Sequence, residues 1–333
     1  MAVDAQTIET YDNTVIREDL EQQYTMISPE ETPFQTAIGV GPKATATYHE
    51  WTVVELASPS TSNRVIEGDD SPGEDVGTLG KRFGNYTQIS DKIVSVSNTS
   101  EAVDAAAENV QRLAAQITLK LKEMKRDMEA MMLQNVAADA GSSGSARVAA
   151  GLPAWLRTNI VLGATGAAPT LSGTTSGHPN STLTPGTAVA LTEANLNNVI
   201  EDCWNEGATP SIIMVNANNK RVISQSFTGN STRYKDAIDK RLTAAIDVYD
   251  SDFGELTVVP NRFQQTTASN NYSVYVLDPE YAELCFLETP RQTELAQTGH
   301  AKRRMVHCEY TLKVSNEKAH GAVHATTGAA PSP

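Results

Sequence analysis

The sequence predicts an α+β fold, and three features carry that reading. Two runs rich in Val, Ile, Thr and aromatics, 44–56 and 85–97, alternate in part with period two. A stretch from 99 to 138 keeps apolar residues at helical spacing. From Thr192 onward, short helical patterns alternate with compact apolar runs.

Taken in order, residues 1–43 are polar and acidic with a sparse apolar set (Ile16, Leu20, Tyr24, Ile27), which suits an arm lying on something else. A short helix over 16–26 is expected, ended by Ser28-Pro29. The runs ATATYHEWTVVEL and NYTQISDKIVSVS flank a segment, 57–84, crowded with Ser, Pro, Gly and Asp. A structureless loop of that length fits poorly in a compact domain. A projecting hairpin whose tip packs on a neighbouring copy resolves the conflict.

Thr99 or Ser100 can cap the helix that follows, and Glu101 and Asp104 suit its positive start. Val103, Val110, Ile117, Met124, Met128 and Met131 form one stripe, and a continuous helix over 99–138 would be about 60 Å long. Clustered methionines can mark a soft binding groove, but this regular spacing reads better as a buried helix face. Residues 139–191 are rich in Gly, Ser, Thr and Ala and read as loop, with Trp155 and Leu156 tucking it down.

Next come a helix capped by Thr192, with Leu196, Val199, Ile200 and Cys203 inward and a stop at Gly207, and a buried strand over 211–215. A further helix start at 216, a helix over 235–246 and strands at 246–249, 256–259 and 272–277 complete a mixed unit. The last strand, 305–316, alternates Val306, Cys308, Tyr310, Leu312 and Val314, and the final dozen residues read as a small polar tail.

Composition excludes several functions. The 333 residues carry a formal charge of −14, and the longest basic run, Lys302-Arg303-Arg304, is too short for a phosphate-gripping groove. No apolar run nears the roughly 18 residues of a membrane span, and the N-terminus lacks a secretory pattern. Three widely spaced cysteines, Cys203, Cys285 and Cys308, read as reduced thiols of a cytosolic protein.

Catalytic motifs fail on inspection. Gly80-Lys81 is no phosphate loop, because Asp75 stands where glycine is needed and Arg82 replaces Ser/Thr. No G-x-S-x-G elbow occurs. His320 and His324, with His307 and Cys308 upstream, fall short of three or four firm zinc ligands. Glu67, Asp69 and Asp70 read as a solvated turn and not a calcium loop. No catalytic, cofactor or metal residue is assigned.

Several phrases in one order carry a family likeness: TYDNTVIREDL, ISPEETPF, ATYHEW, VIEGDD, GNYTQI, KEMKRDMEAMMLQN, AGLPAWLRTN, DVYDSDFGELTVVPNRF, YVLDPEY and RRMVHCEYTLKVSNEKAHG. From Thr10 to about Gly321 the chain resembles the major head proteins of tailed double-stranded DNA phages, which are similar to the Hong Kong 97-type capsid fold. The resemblance implies an N-terminal arm (1–43), an extended hairpin loop (44–98), a peripheral domain with a spine helix and glycine-rich loop (99–191), an axial domain (192–290), and a returning peripheral strand with tail (291–333).

It also implies self-assembly into hexamers and pentamers of an icosahedral head made in the host cytoplasm. DNA would be enclosed and touched without sequence preference, with no membrane and no cofactor, and room is left for scaffolding, portal and decoration proteins. Phe34 on the arm and Trp51, Phe83 and Tyr86 on the hairpin are the expected inter-subunit contacts, local packing being the alternative for each. Covalent crosslinking through Lys81 or Lys92 rests on position alone. Rival readings are an encapsulin-like nanocompartment shell, a soluble α/β enzyme, and a tail or surface fibre protein, the last disfavoured because no repeat is found.

Overall fold

A computed structural model describes residues 28–68, 70, 77–103, 112–227, 234–235, 242–243, 247–264 and 272–327. In chain order the elements are α1 (Pro33–Ile38), β1 (Tyr48–Val53), β2 (Lys81–Tyr86), β3 (Gln88–Ser97), α2 (Asn98–Ala102), α3 (Arg112–Met132) and α4 (Leu152–Trp155). Then follow β4 (Ile160–Val161), β5 (Val189–Ala190), α5 (Glu193–Asn205), β6 (Ile212–Val215) and α6 (Ala217–Ser226). The remainder is β7 (Tyr234–Lys235), β8 (Leu242–Thr243), β9 (Val248–Ser251), β10 (Gly254–Pro260), β11 (Tyr272–Leu277), β12 (Ala282–Glu294), β13 (Ala301–Val314) and β14 (Gly321–Thr327).

Two sheets organise these elements. The first runs β12-β13-β3, all antiparallel, with α3 packed across it. Lys92 on β3 ties the helix down through Asp127 at 2.6 Å and Glu123 at 3.5 Å. Met124, Met128, Met132 and Leu133 meet Val306, Cys308, Tyr310 and Leu312 in one core. The second sheet has the order β4-β14-β11-β6-β10-β9, with β5 also on β14.

Period-two alternation assigns the faces of the second sheet. Met214, Tyr275, Leu277 and Ala322 enter the helix-and-sheet core. Their neighbours Ile213, Val215, Val276 and Val323 enter a second core with Leu196, Val199, Ile200 and Cys203 of α5. The central strands are apolar on both faces because both faces are covered. The Thr192 hydroxyl accepts the Asn195 N–H at 3.2 Å, and Gly207, at φ +92, ends α5 in the left-handed region where glycine has no Cβ penalty.

The structure corrects several expectations. The run 85–97 divides at Thr87: Tyr86 pairs with Tyr48 across the hairpin, whereas Gln88–Ser97 pairs with β13. The continuous 99–138 helix does not form, because Val103 has extended backbone (φ −85, ψ 129) and the chain leaves the helix after Met132. The described helix, at about 1.5 Å per residue, spans about 31 Å over its 21 residues. Ser97 caps the short helix α2, in which Thr99 and Ser100 are helical residues and not caps, and the start of the longer helix before Arg112 lies outside the described residues.

The helix expected over 235–246 is replaced, in its described part, by antiparallel pairing of Tyr234 with Thr243 and Lys235 with Leu242. The expected 290/291 boundary cuts through β12, which joins the first sheet along its length. The described part of the expected polar tail, 322–327, belongs to β14, buried within the second sheet between β11 and β4, and 328–333 lie outside the described residues. The helix expected over 16–26 lies outside the described residues.

Candidate assembly interface

The hairpin is built outward from a fixed root. Asn85, fully buried, donates to the carbonyls of Leu312 (2.8 Å) and Ala150 (3.3 Å) and accepts the Ala150 N–H (2.9 Å), which satisfies a side chain that would otherwise be costly to bury. The Thr87 hydroxyl donates to Glu309 at 2.6 Å, and Arg147 pairs with the same carboxylate. Gly177 donates to the Arg82 carbonyl at 2.8 Å and accepts the Gly84 N–H at 3.3 Å, laying the glycine-rich loop along β2.

Aromatic and ionic contacts continue outward. Trp51 lies 5.4 Å from Trp155, and Tyr48 lies 4.7 Å from Tyr86, ring centre to ring centre. The His178 ring stands edge-on to both tyrosines. Lys81 bonds Glu55 at 2.6 Å and holds that carboxyl below its usual range, with Lys318 adding to the effect. Lys318 also bonds Glu206 at the end of α5 (2.9 Å), so the hairpin root is braced against the second sheet's helix layer.

Beyond that root the described residues of the loop stand in solvent. Every residue from 56 to 68 and from 77 to 80 is exposed. Five large apolar side chains stand in water on or beside this loop: Val54, Leu56 (91% exposed), Val65, Ile66 and Leu79 (86%). Apolar side chains concentrated on one exposed segment make it a candidate contact surface. Burying five such side chains is worth about 10 kcal/mol at about 2 kcal/mol each, before the entropy of association is subtracted.

The expected contact residues fall differently. Phe34 is fully buried in its own chain, in the core with α3 and β13, so local packing is its role and the inter-subunit assignment is withdrawn. Trp51 and Phe83 are half-buried against that core, and Tyr86 is half-buried beside Tyr48 and His178. Lys81 is engaged by Glu55, and Lys92 by Asp127 and Glu123.

The residue that sequence reasoning missed is Glu129. It is fully buried on α3, where Oε1 accepts the Phe34 N–H and the Asn261 Nδ2–H, both at 2.7 Å, and Oε2 accepts the Gln35 N–H at 2.9 Å. Burial pushes its pKa up, and the three donors act against that push. One carboxylate therefore joins the arm's α1, the helix and the segment after β10. Beyond α1 the arm continues along the first sheet, with Val40 bridging to Leu284 and Ala44 donating to the Phe286 carbonyl.

His320 and His324 are both buried, and each is engaged through Nδ1. His320 accepts the Asp278 N–H at 3.3 Å, and burial lowers its pKa to about 4. His324 pairs with Ser273 at 2.9 Å, and burial lowers its pKa to about 3. Among the described residues, no three His, Cys, Asp or Glu side chains stand together as metal ligands, and no helix is long and apolar enough to cross a membrane.

Comparison with known proteins agrees with this geometry. A family model described as SU10 major capsid protein matches residues 5–327. The major capsid protein of Escherichia phage Phieco32 is 25% identical over 337 residues, covering 91% of this chain and 92% of that protein. A solved structure from Mycobacterium phage Bobi aligns with a TM-score of 0.62 at 10% identity, over 97% of this chain and all of that one (100%). The capsid of a native GTA particle aligns at 0.61 and 12% identity, over 96% and 98% of the two chains. The SrpI encapsulin of Synechococcus elongatus aligns at 0.52 and 10% identity, over 92% and 93%.

Proposed function

The chain belongs to the SU10 major capsid protein family, and from that membership we propose that it closes an icosahedral head by laying its hairpin loop on the next copy. It is a structural protein of the phage capsid with the Hong Kong 97-type fold. In the finer reading, copies gather as hexamers and pentamers in the host cytoplasm and enclose double-stranded DNA. They do so as building blocks and not as catalysts. The formal charge of −14 favours a lining to which DNA does not adhere.

The observation that carries the proposal is the row of exposed apolar side chains on a loop whose root is pinned. A closed shell needs several heterologous contacts per subunit. A pinned root with exposed flanks at 56–68 and 77–80 supplies one without a large compact interface. Each contact can be modest, because neighbours act together once the lattice forms. The uncovered parts of Trp51, Phe83 and Tyr86 extend the same surface toward the root.

The encapsulin likeness is one of fold, and the family match favours a head over a nanocompartment. The test is a triple substitution, Leu56→Asp, Ile66→Asp and Leu79→Asp, at positions that touch no core. The variant should fold with an unchanged circular dichroism spectrum and stay as small capsomers or protomers under conditions where wild type forms shells. Wild-type yields of shells from the variant would overturn the proposal.

A further inference from the structure

A cavity of about 130 Å³ lies where the hairpin root meets the end of β13. Val53, Leu171 and Val314 give it apolar walls, and its charged lining sets Lys81, Arg157 and Lys318 against Glu55 and Glu317. Both carboxylates are already engaged. Glu55 is held by Lys81 at 2.6 Å and by Lys318 at 3.6 Å. Glu317 accepts the Thr158 hydroxyl at 3.1 Å, the backbone N–H groups of Arg157 and Thr158 at 3.3 and 3.4 Å, and Arg157 Nη2–H at 3.4 Å. The lining is left with a surplus of positive charge.

Two donors on residues of the same wall have no acceptor among the described residues. Trp155 is 2% exposed, and its indole Nε1–H is buried without a hydrogen-bond partner. The Arg157 Nε–H is buried and unpaired as well. Neither depends on where a proton is placed, because indole and guanidinium nitrogens donate and do not accept. Buried donors are paired in nearly all folded proteins, so these two call for an acceptor. The surplus cation beside them favours an anionic one. A cavity of roughly 150 Å³ admits benzene, so this one has room for a group the size of a carboxylate side chain.

The exposed loop carries groups of that kind. Glu67 and Asp70 are exposed and do not line their own chain's cavity. Glu67 follows Val65 and Ile66, which also stand in water, so the loop presents apolar side chains next to a carboxylate. The cavity presents the complement, apolar walls next to cations. Glu67 stands midway in sequence between Val53 and Lys81 at the root, so an extended loop carries it up to roughly 45 Å away.

Resting on the reading that the loop lies on the next copy, we propose that this cavity binds a carboxylate of a neighbouring copy's loop, Glu67 or Asp70. Each copy then offers a loop at one end and receives another at its root. Such a contact is heterologous and repeats from copy to copy around a ring.

The test uses shells assembled from an equal mixture of unlabelled and heavy-nitrogen-labelled full-length protein. A carbodiimide joins carboxylates to lysine amines in contact, and mass spectrometry reads the linked peptides. Glu67 or Asp70 should be found linked to Lys81 or Lys318, with mixed-isotope pairs about as frequent as same-isotope pairs. The link between Glu55 and Lys81, 2.6 Å apart within one copy, should appear in same-isotope pairs alone and serves as the control. The double substitution Glu67→Gln and Asp70→Asn should remove the inter-copy links and keep the control. Links from Glu67 or Asp70 to other lysines of a neighbour would overturn the cavity assignment and leave the loop reading standing. No inter-copy link from either residue would overturn the assignment too, and the exposure of Leu56, Ile66 and Leu79 in the same shells would decide the loop reading separately.

Discussion

Replacing Glu129 probes how the arm is attached. In Glu129→Gln one oxygen can still serve Phe34 and Asn261, but the new amide points an N–H at the Gln35 N–H, which the wild-type Oε2 accepts at 2.9 Å. Two charge-assisted bonds become neutral, at about 1 kcal/mol each, and one buried donor loses its partner, at about 1–3 kcal/mol. Release from burying a carboxylate offsets part of this, leaving a loss of about 2–3 kcal/mol. Glu129→Ala strands all three donors, and water refills the space only in part, so about 4 kcal/mol is expected. Urea unfolding of soluble full-length protein measures both. Limited proteolysis should show faster cleavage in residues 28–43, because α1 is the segment released. If both variants unfold within 0.5 kcal/mol of wild type, the three-way junction has no energetic role and the reasoning fails.

Three further outcomes follow from the same structure. His320 and His324 stay neutral when folded, with pKa values lowered to about 4 and about 3, whereas the unfolded chain takes up a proton on each below about 6.5. Their contribution is thus complete above pH 6.5 and is lost as pH falls, at about 2.7 kcal/mol per unit for the pair; urea midpoints at pH 7 and pH 5 read the slope, and a flat profile would contradict it. Asn85→Ala should cost about 3 kcal/mol, because it leaves the Ala150 N–H unpaired and frees two carbonyls at the hairpin root, with equilibrium unfolding as the check. Gly163→Ala should give little soluble protein, since a Cβ there would lie 1.7 Å from the Thr187 carbonyl oxygen and could be housed only by moving backbone; soluble yield decides it.

What the sequence disclosed depended on how far each signal was local. The Thr192 cap, the inward stripe of α5 and the Gly207 stop were all legible, because cap, period and terminator sit within one short stretch. β14 was not, because Gly321–Thr327 is made mostly of small residues, and its burial comes from strands far along the chain. β12 was hidden by its own two halves: Ala282–Cys285 is largely buried, whereas Thr289–Glu294 is exposed, with Pro290 in a bulge where a strand tolerates it. The hairpin was legible in kind but not in register, since only the pairing on either side of Thr87 reveals that one β-rich run serves two sheets. Nothing in the local sequence distinguishes Glu129 from the other carboxylates of α3. Its partners stand about 95 and 132 residues away, beyond any local pattern.

The most direct test of the central claim is a cryo-electron microscopy reconstruction of heads assembled from this protein. The account predicts hexamers and pentamers in which the hairpin loop of each copy lies on its neighbour, with Leu56, Ile66 and Leu79 shielded from water. A shell in which those side chains face solvent, or in which the loop folds back on its own chain, would contradict it.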